Sequence, residues 1–260
     1  MRILVTFAVE AEFAPWRSRH PFVPYEFDDA GNRREFDLYR ANIGFHEVTV
    51  LLTGMGSQNA FNAIRTIPIE LTDVCISTGL AGALDPALRP GIIVAGRCCE
   101  AVSKLQKTSS DSDLLNLALA AGARSVDLFL TSETILVTAT EKQALAATGS
   151  VVEMESTYIL AAASERRVPA IAFRSIGDGA DEDLPLDFRN VVDSRGRVRV
   201  FPLLKELALH PHRLALLVRF GRQSRAAARS LADFLDHYIP LIAAKWPGLC
   251  TPNMQEAAAR

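Results

Sequence analysis

Asp73-Val74-Cys75-Ile76-Ser77-Thr78-Gly79-Leu80-Ala81-Gly82 is an apolar run that passes without a break into a turn bearing two glycines. A short continuous apolar run bounded by turn residues is the pattern of a strand buried on both faces. Two more runs of this kind bracket it. Residues 2–8, Arg2-Ile3-Leu4-Val5-Thr6-Phe7-Ala8, open the chain, and Val168–Ser175 lies far downstream. Further strands are expected near 36–42, 47–53, 92–96 and 127–137, with a short one just before residue 155. Helices are expected near 57–67, 112–121, 140–147 and 155–166. The polar stretch around Asp28, Asp29, Gly31 and Asn32 reads as a hairpin turn. Strands alternating with helices predict an α/β fold: a single three-layer domain whose central mixed, largely parallel twisted sheet is flanked by helices.

From about residue 186 the pattern changes. Residues 186–199 read as a long loop, and 201–239 as two helices separated near His210-Pro211. With no repeat or linker, the expectation is one domain over 1–260, in which 186–239 is a loop and helical C-terminal extension.

Composition narrows the function classes. The 260 residues are 49% hydrophobic and 22% charged, with a net charge of -2. That balance gives no electrostatic reason to expect nucleic acid, whose binding rests on neutralising phosphates. Cys75, Cys98, Cys99 and Cys250 do not make a metal-ligand spacing, because the adjacent pair on a strand points to opposite faces. No metal is expected, and reduced thiols fit a cytoplasmic protein. Glu10 and Glu12 interrupt the apolar N-terminus before it reaches the length of a secretory leader, and no stretch approaches the roughly 18 apolar residues of a membrane span. Gly54-Met55-Gly56 lacks the third glycine of a dinucleotide fingerprint. Neither a phosphate-binding lysine loop nor a Gly-x-Ser-x-Gly elbow is present.

Three segments place polar groups at the C-terminal ends of expected strands, where ligands bind in open α/β sheets. They are Ala8-Val9-Glu10-Ala11-Glu12, Ser77-Thr78-Gly79-Leu80-Ala81-Gly82 and Arg174-Ser175-Ile176-Gly177-Asp178. A fourth, Val152-Glu153-Met154-Glu155-Ser156, lies at a strand-to-helix junction. In this order and spacing, over roughly residues 2–183, the set resembles the methylthioadenosine/S-adenosylhomocysteine nucleosidases and the related purine and uridine phosphorylases.

The resemblance implies a purine nucleoside phosphorylase-like fold and cleavage of a purine–ribose N-glycosidic bond without a cofactor. Phosphate is a co-substrate only if the enzyme is a phosphorylase. Breaking that bond builds positive charge on the sugar and negative charge on the base, so a general acid is needed at the base. The resemblance puts Asp178 there, and Glu12 where a base activates water. Glu155 is placed on the ribose hydroxyls and Met154 against the sugar face, with Glu153, Arg174, Ala81 and Gly82 completing the substrate-binding candidates. Each carboxylate also has a plainer reading: Asp178 as a turn cap, Glu155 as a helix-dipole partner, Glu12 as a solvated surface group. Related phosphorylases carry an arginine in the first loop that grips phosphate. This chain has Glu12 and no arginine before Arg17, which favours hydrolysis.

Three departures mark the chain off. Leu80 stands where the nucleosidases have serine, Gly177 replaces a serine before the acid, and Thr131-Ser132-Glu133-Thr134 differs from their base-binding stretch. A phosphorylase and a nucleoside-binding module without catalysis are therefore the alternatives to a nucleosidase. The tail segments Leu184-Pro185, Asp193-Ser194-Arg195-Gly196-Arg197, Pro202-Leu203-Leu204 and His210-Pro211-His212-Arg213-Leu214 resemble the hopanoid-associated phosphorylase-like proteins, which implies a bulky apolar 5′ substituent. In 213–235, Leu214, Leu217, Val218, Leu231, Phe234 and Leu235 recur at helical spacing opposite Arg219, Arg222, Arg225 and Arg229. Such a helix either packs on the core or makes a peripheral contact with an anionic membrane surface. The expected partners are a small-molecule nucleoside and a second copy of the chain, since the resemblance favours a homodimer.

Overall fold

A computed structural model describes residues 1–25, 36–191, 193 and 213–245. The strands are β1 (Arg2–Phe7), β2 (Val23–Pro24), β3 (Leu38–Ile43), β4 (His46–Leu52), β5 (Val74–Ser77), β6 (Leu80–Ala83), β7 (Ile93–Ala101), β8 (Lys107–Ser109), β9 (Arg124–Thr131), β10 (Val151–Glu153) and β11 (Ala170–Asp178). The helices are α1 (Glu10–Arg17), α2 (Ser57–Arg65), α3 (Ser112–Ala120), α4 (Ala139–Leu145), α5 (Ser156–Glu165), α6 (Phe188–Val191) and α7 (Arg213–Lys245).

One sheet, in the order β2-β3-β4-β1-β5-β11-β6-β10-β9-β7-β8, runs through the domain. The apolar runs at 2–8, 73–78 and 168–175 become its middle. β1 pairs in parallel with β4 and β5, and β5 in parallel with β11. β11 is long enough to serve three partners: Ala170–Ala172 face β5, Ala172–Ser175 run antiparallel to β7, and Ser175–Asp178 run parallel to β6. Because β6, β10, β9 and β7 pair in turn, the pairing of β7 with β11 curls this half of the mixed sheet into a closed ring.

Two apolar layers cover the sheet. On one side Phe7, Phe13, Trp16 and Phe173 pack with Leu231, Phe234, Leu235 and Tyr238 of α7. On the other, Leu4, Leu51 and Cys75 pack with Ala60, Ile64, Ile159 and Leu160 of α2 and α5. Cys99 is buried and its neighbour Cys98 is not, as strand alternation requires.

The structure corrects the expectations at several places, among them the strand expected at 92–96, which runs to Ala101 and pairs with an unforeseen β8. Residues 10–17 form α1, a short helix unforeseen because Pro15 lies inside it. β6 is a strand built of Leu, Ala and Gly, residues with weak strand preference. β9 stops at Thr131 rather than 137, because the Ser132 hydroxyl bonds the Thr134 carbonyl and turns the chain out of the ladder. In the tail, Phe188–Val191 is helical rather than loop, and α7 runs through Pro240 to Lys245 instead of ending at 239. The hairpin turn at 28–32, the segment 194–212 with its proposed helix and His210-Pro211 break, and Cys250 lie outside the described residues. No helix among the described residues is long and apolar enough to cross a membrane.

Candidate active site

The C-terminal end of β1, the turn from β5 to β6, and the ends of β10 and β11 enclose a cavity of about 240 Å³. Glu12, Ala81, Gly82, Glu153, Met154, Glu155 and Asp178 all line it. Of the sequence-derived candidates only Arg174 does not, and it lies directly behind the wall. Segments about 170 residues apart in sequence therefore meet in one place.

Glu12 sits in the first turn of α1. Its Oε2 accepts from the amides of Ala8 (3.1 Å) and Val9 (3.4 Å), and its Oε1 from the amide of Leu80 (2.8 Å). The Val9 contact is the acidic half of a capping box, so local helix chemistry sets this rotamer. Gly79 makes room for it: at φ +144°, a Cβ there would lie 2.9 Å from Glu12 Oε2. Burial raises the Glu12 carboxyl above its usual range, while the Leu80 amide and the Arg174 charge pull it back.

Glu153 is fully buried and already spoken for. Its Oε2 takes Arg174 Nη2 at 2.6 Å, the Ser156 amide at 2.8 Å and the Glu155 amide at 3.0 Å, and its Oε1 takes the Thr131 hydroxyl. Arg174, 1% exposed, also reaches Ser77 Oγ (3.2 Å) and the Phe173 carbonyl (3.1 Å), and its Nη2 lies 3.8 Å from Glu155 Oε2. Glu153 and Arg174 thus form a buttress that fixes the first turn of α5 and the residue at its head, Glu155. That residue turns its carboxyl to the cavity, with Oε1 held by the Gly56 amide at 2.9 Å. Burial first and the neighbouring Glu153 second push Glu155 up to about 8, against Arg174 and the Gly56 amide.

Asp178 ends β11 and lines the same cavity. Burial raises its carboxyl above the ordinary aspartate range, opposed by the ammonium of Lys142. Lys142 Nζ lies 2.5 Å from Asp178 Oδ2. Gly177 supplies no hydroxyl to Asp178, and its carbonyl instead accepts from Gln223 of α7 at 3.0 Å. Thr131 and Ser132 are absorbed in the Glu153 network and the turn after β9, while Thr134 reaches the cavity wall. Leu80 presents an apolar side chain there, beside Val152, Leu136 and Phe220.

Among the lining residues not foreseen are Lys142, Phe188 and Phe220. Lys142 stands three residues before Leu145, on the inward side of α4, and that alignment with an apolar residue was the available signal. Phe188 and Phe220 reach the site through α6 and α7, whose placement no local pattern announces. Among the described residues no group of His, Cys, Asp and Glu is arranged to hold a metal ion.

The sequence pattern of the phosphorylase superfamily matches residues 2–207. The chain belongs to the phosphorylase superfamily. No curated protein matches it. Among solved structures this superfamily member is similar to the 5′-methylthioadenosine/S-adenosylhomocysteine nucleosidase of Campylobacter jejuni, with a TM-score of 0.69, 17% identity, and coverage of 92% of this chain and 98% of that one. The Neisseria meningitidis enzyme of the same name, in complex with methylthio-immucillin-A, gives 0.67 at 20% identity, over 92% and 98% of the chains. The native futalosine hydrolase of Helicobacter pylori gives 0.68 at 16% identity, over 92% and 97%. At these identities the likeness establishes a shared fold. The superfamily membership establishes the enzyme class, a nucleosidase or nucleoside phosphorylase.

Proposed function

We propose that this protein is a hydrolase that releases the base from an adenosine-type purine nucleoside, with Asp178 as general acid and Glu12 as the base that activates water. The observation that carries the reading is that two largely buried carboxyls from distant segments, Glu12 and Asp178, line one cavity together with Glu155 and Met154. As the C1′–N bond breaks, its electron pair passes to the base, which takes the Asp178 proton. Water adds to C1′ and gives a proton to Glu12. Glu155, with Oε1 held by the Gly56 amide, offers its carboxyl to the ribose hydroxyls as a hydrogen-bond acceptor.

Charge favours water over phosphate as the nucleophile. Arg174 stands behind the wall, committed to Glu153, and Lys142 is committed to Asp178. A phosphate in the cavity would instead face Glu12 and Glu155. Two like charges about 4 Å apart repel by roughly 4 kcal/mol at an effective dielectric near 20. The apolar wall of Leu80, Leu136, Val152 and Phe220 suits a substrate with an apolar 5′ substituent. Nothing in the reaction calls for a metal or an organic cofactor, and homodimerisation in the cytoplasm belongs to the same reading.

The test is base release from methylthioadenosine, S-adenosylhomocysteine, adenosine, inosine and an apolar 5′-substituted adenosine, each with and without phosphate. Phosphate-independent release is expected, reduced about 10²–10⁴-fold by Asp178→Asn and comparably by Glu12→Gln. Strict dependence on phosphate, with ribose 1-phosphate as product, would make it a phosphorylase. Retained binding without release would make it a binding module.

A further inference from the structure

Lys142 is 1% exposed, although an ammonium is costly to bury unless its donors are satisfied. All three of its N–H donors are used: Asp178 Oδ2 at 2.5 Å, the Glu182 carbonyl at 2.7 Å and the Gly179 carbonyl at 2.8 Å. The helix that carries it is held at its N-terminus by a capping box of Thr138 and Glu141 and by Asp183 Oδ1, which accepts from the Ala139 amide at 2.7 Å. The ammonium therefore ties three neighbouring points of the chain, the end of β11 and the turn after it, to α4.

Building on the hydrolase reading above, we propose that Lys142 is the positioning residue for the general acid: it fixes which oxygen of Asp178 meets the base and neutralises the carboxylate left when the proton departs. Two contacts fix the carboxyl. Oδ2 is occupied by Lys142, and the plane is backed by Gly82, where a Cβ would lie 3.2 Å from Oδ2. Oδ1 remains as the oxygen that carries the proton. When the C1′–N bond breaks, the electron pair goes to the base, the Oδ1 proton moves to a ring nitrogen of that base, and the new carboxylate already has a counter-ion in place. No dipole must reorganise at that moment, which is the condition for effective electrostatic catalysis.

The other charges around Asp178 act differently. The Glu182 carboxylate opposes ionisation of Asp178, and is itself held by the Gly179 amide, Gln223 and Arg219. Glu141 is engaged by the Val137 and Thr138 amides and Arg189. In the same cavity, Glu12 and Glu155 share the field of Arg174. Removing the ammonium leaves burial and Glu182 acting on Asp178 without opposition.

The first test is the pH dependence of kcat/KM for the wild-type protein and Lys142→Met. An acid works in its protonated form, so activity falls as pH rises through the pKa of Asp178. Loss of the ammonium moves that alkaline limb to higher pH by about one to three units. It also lowers kcat about 10²-fold at the new optimum, with KM little changed. A limb that stays where it was, whatever the loss of rate, overturns the proposal and leaves Lys142 a structural strut.

The second test needs neither a folded Lys142 variant nor a substrate. In the wild-type protein the Asp178 carboxyl carbon, assigned by its disappearance in Asp178→Asn, and the Lys142 side-chain nitrogen are followed by NMR against pH. The Lys142 nitrogen shift follows the protonation of Asp178 if the contact holds, and a nitrogen shift that ignores it overturns the proposal. Failure of the wild-type protein to release any base, with that response intact, counts against the hydrolase reading alone.

Discussion

Arg174 shows how one residue can govern a site it does not touch. Its guanidinium lies between Glu153 and Glu155, and each contact is buried. Removing one partner of a buried ion pair typically costs about 3–5 kcal/mol, because the other charge stays behind uncompensated. Arg174→Met is expected to lose stability of that order. The loss should depend on pH in a direction the carboxyls set. Glu155 already stands above its ordinary value in the folded protein, raised chiefly by burial and opposed by Arg174. Without Arg174 it rises further. A carboxyl raised on folding destabilises the folded state where it would otherwise be charged, and that penalty fades as pH falls below the unfolded value near 4.3. Urea denaturation at pH 5 and pH 9 should therefore show a wider gap between variant and wild type at pH 9. An equal gap would mean that packing around the guanidinium, rather than its charge, accounts for the loss.

The turn between β5 and β6 makes the matching argument for an element. Gly79 holds φ +144° and lets the Glu12 carboxylate approach the chain, where Leu80 donates to it. Gly79→Ala would set a methyl within 2.9 Å of that oxygen and strain the backbone as well. The expected result is a folded protein whose kcat falls by about 10² or more, since a displacement of about 1 Å suffices for that. Unchanged turnover would show that Glu12 need not sit where these three amides hold it. The strand that leads into this turn was legible in the sequence, because the apolar run through Ile76 dictated a buried strand, whereas β6, which starts at Leu80, was not. β1 and β11 were readable for the same reason. α1 was not, since Pro15 argues against a helix that Trp16 and Phe13 nonetheless stabilise by burial. Nor was Lys142 readable as part of a site, because its partners, the Asp178 carboxyl and two carbonyls of the following turn, come into range only after the sheet curls. Local patterns specify strands and turns, whereas contacts created by ring closure belong to the tertiary structure.

At the scale of the molecule, α7 joins the core to the wall of the candidate site, and its two ends make different contacts. Towards its C-terminus Leu231, Leu235, Tyr238, Ile239 and Ile242 are buried. Phe234 and Tyr238 pack edge-on against Phe173 of β11, and the Tyr238 hydroxyl donates to the Leu114 carbonyl at 3.0 Å. Towards its N-terminus Leu214, Leu216 and Val218 are about half exposed, Phe220 lines the cavity and Gln223 meets the end of β11. Gln223 bonds the Gly177 carbonyl and Glu182 Oε2, each at 3.0 Å, and so braces the turn on which Asp178 and the Lys142 acceptors sit. Substitutions at the two ends should separate stability from catalysis. Tyr238→Ala empties a core position and is expected to cost about 3–5 kcal/mol. In a domain of this size that lowers Tm by about 6–20 °C, while kcat per folded molecule is retained. Gln223→Met keeps the helix and its core contacts but frees the turn, so Tm should hardly move while kcat/KM falls about 3–10-fold through misplacement of the acid. Thermal melts and initial rates on the two variants decide the matter. If both lose stability and rate together, α7 acts as one rigid lever. If the losses separate, the helix anchors the fold with one end and aligns Asp178, the proposed acid, with the other.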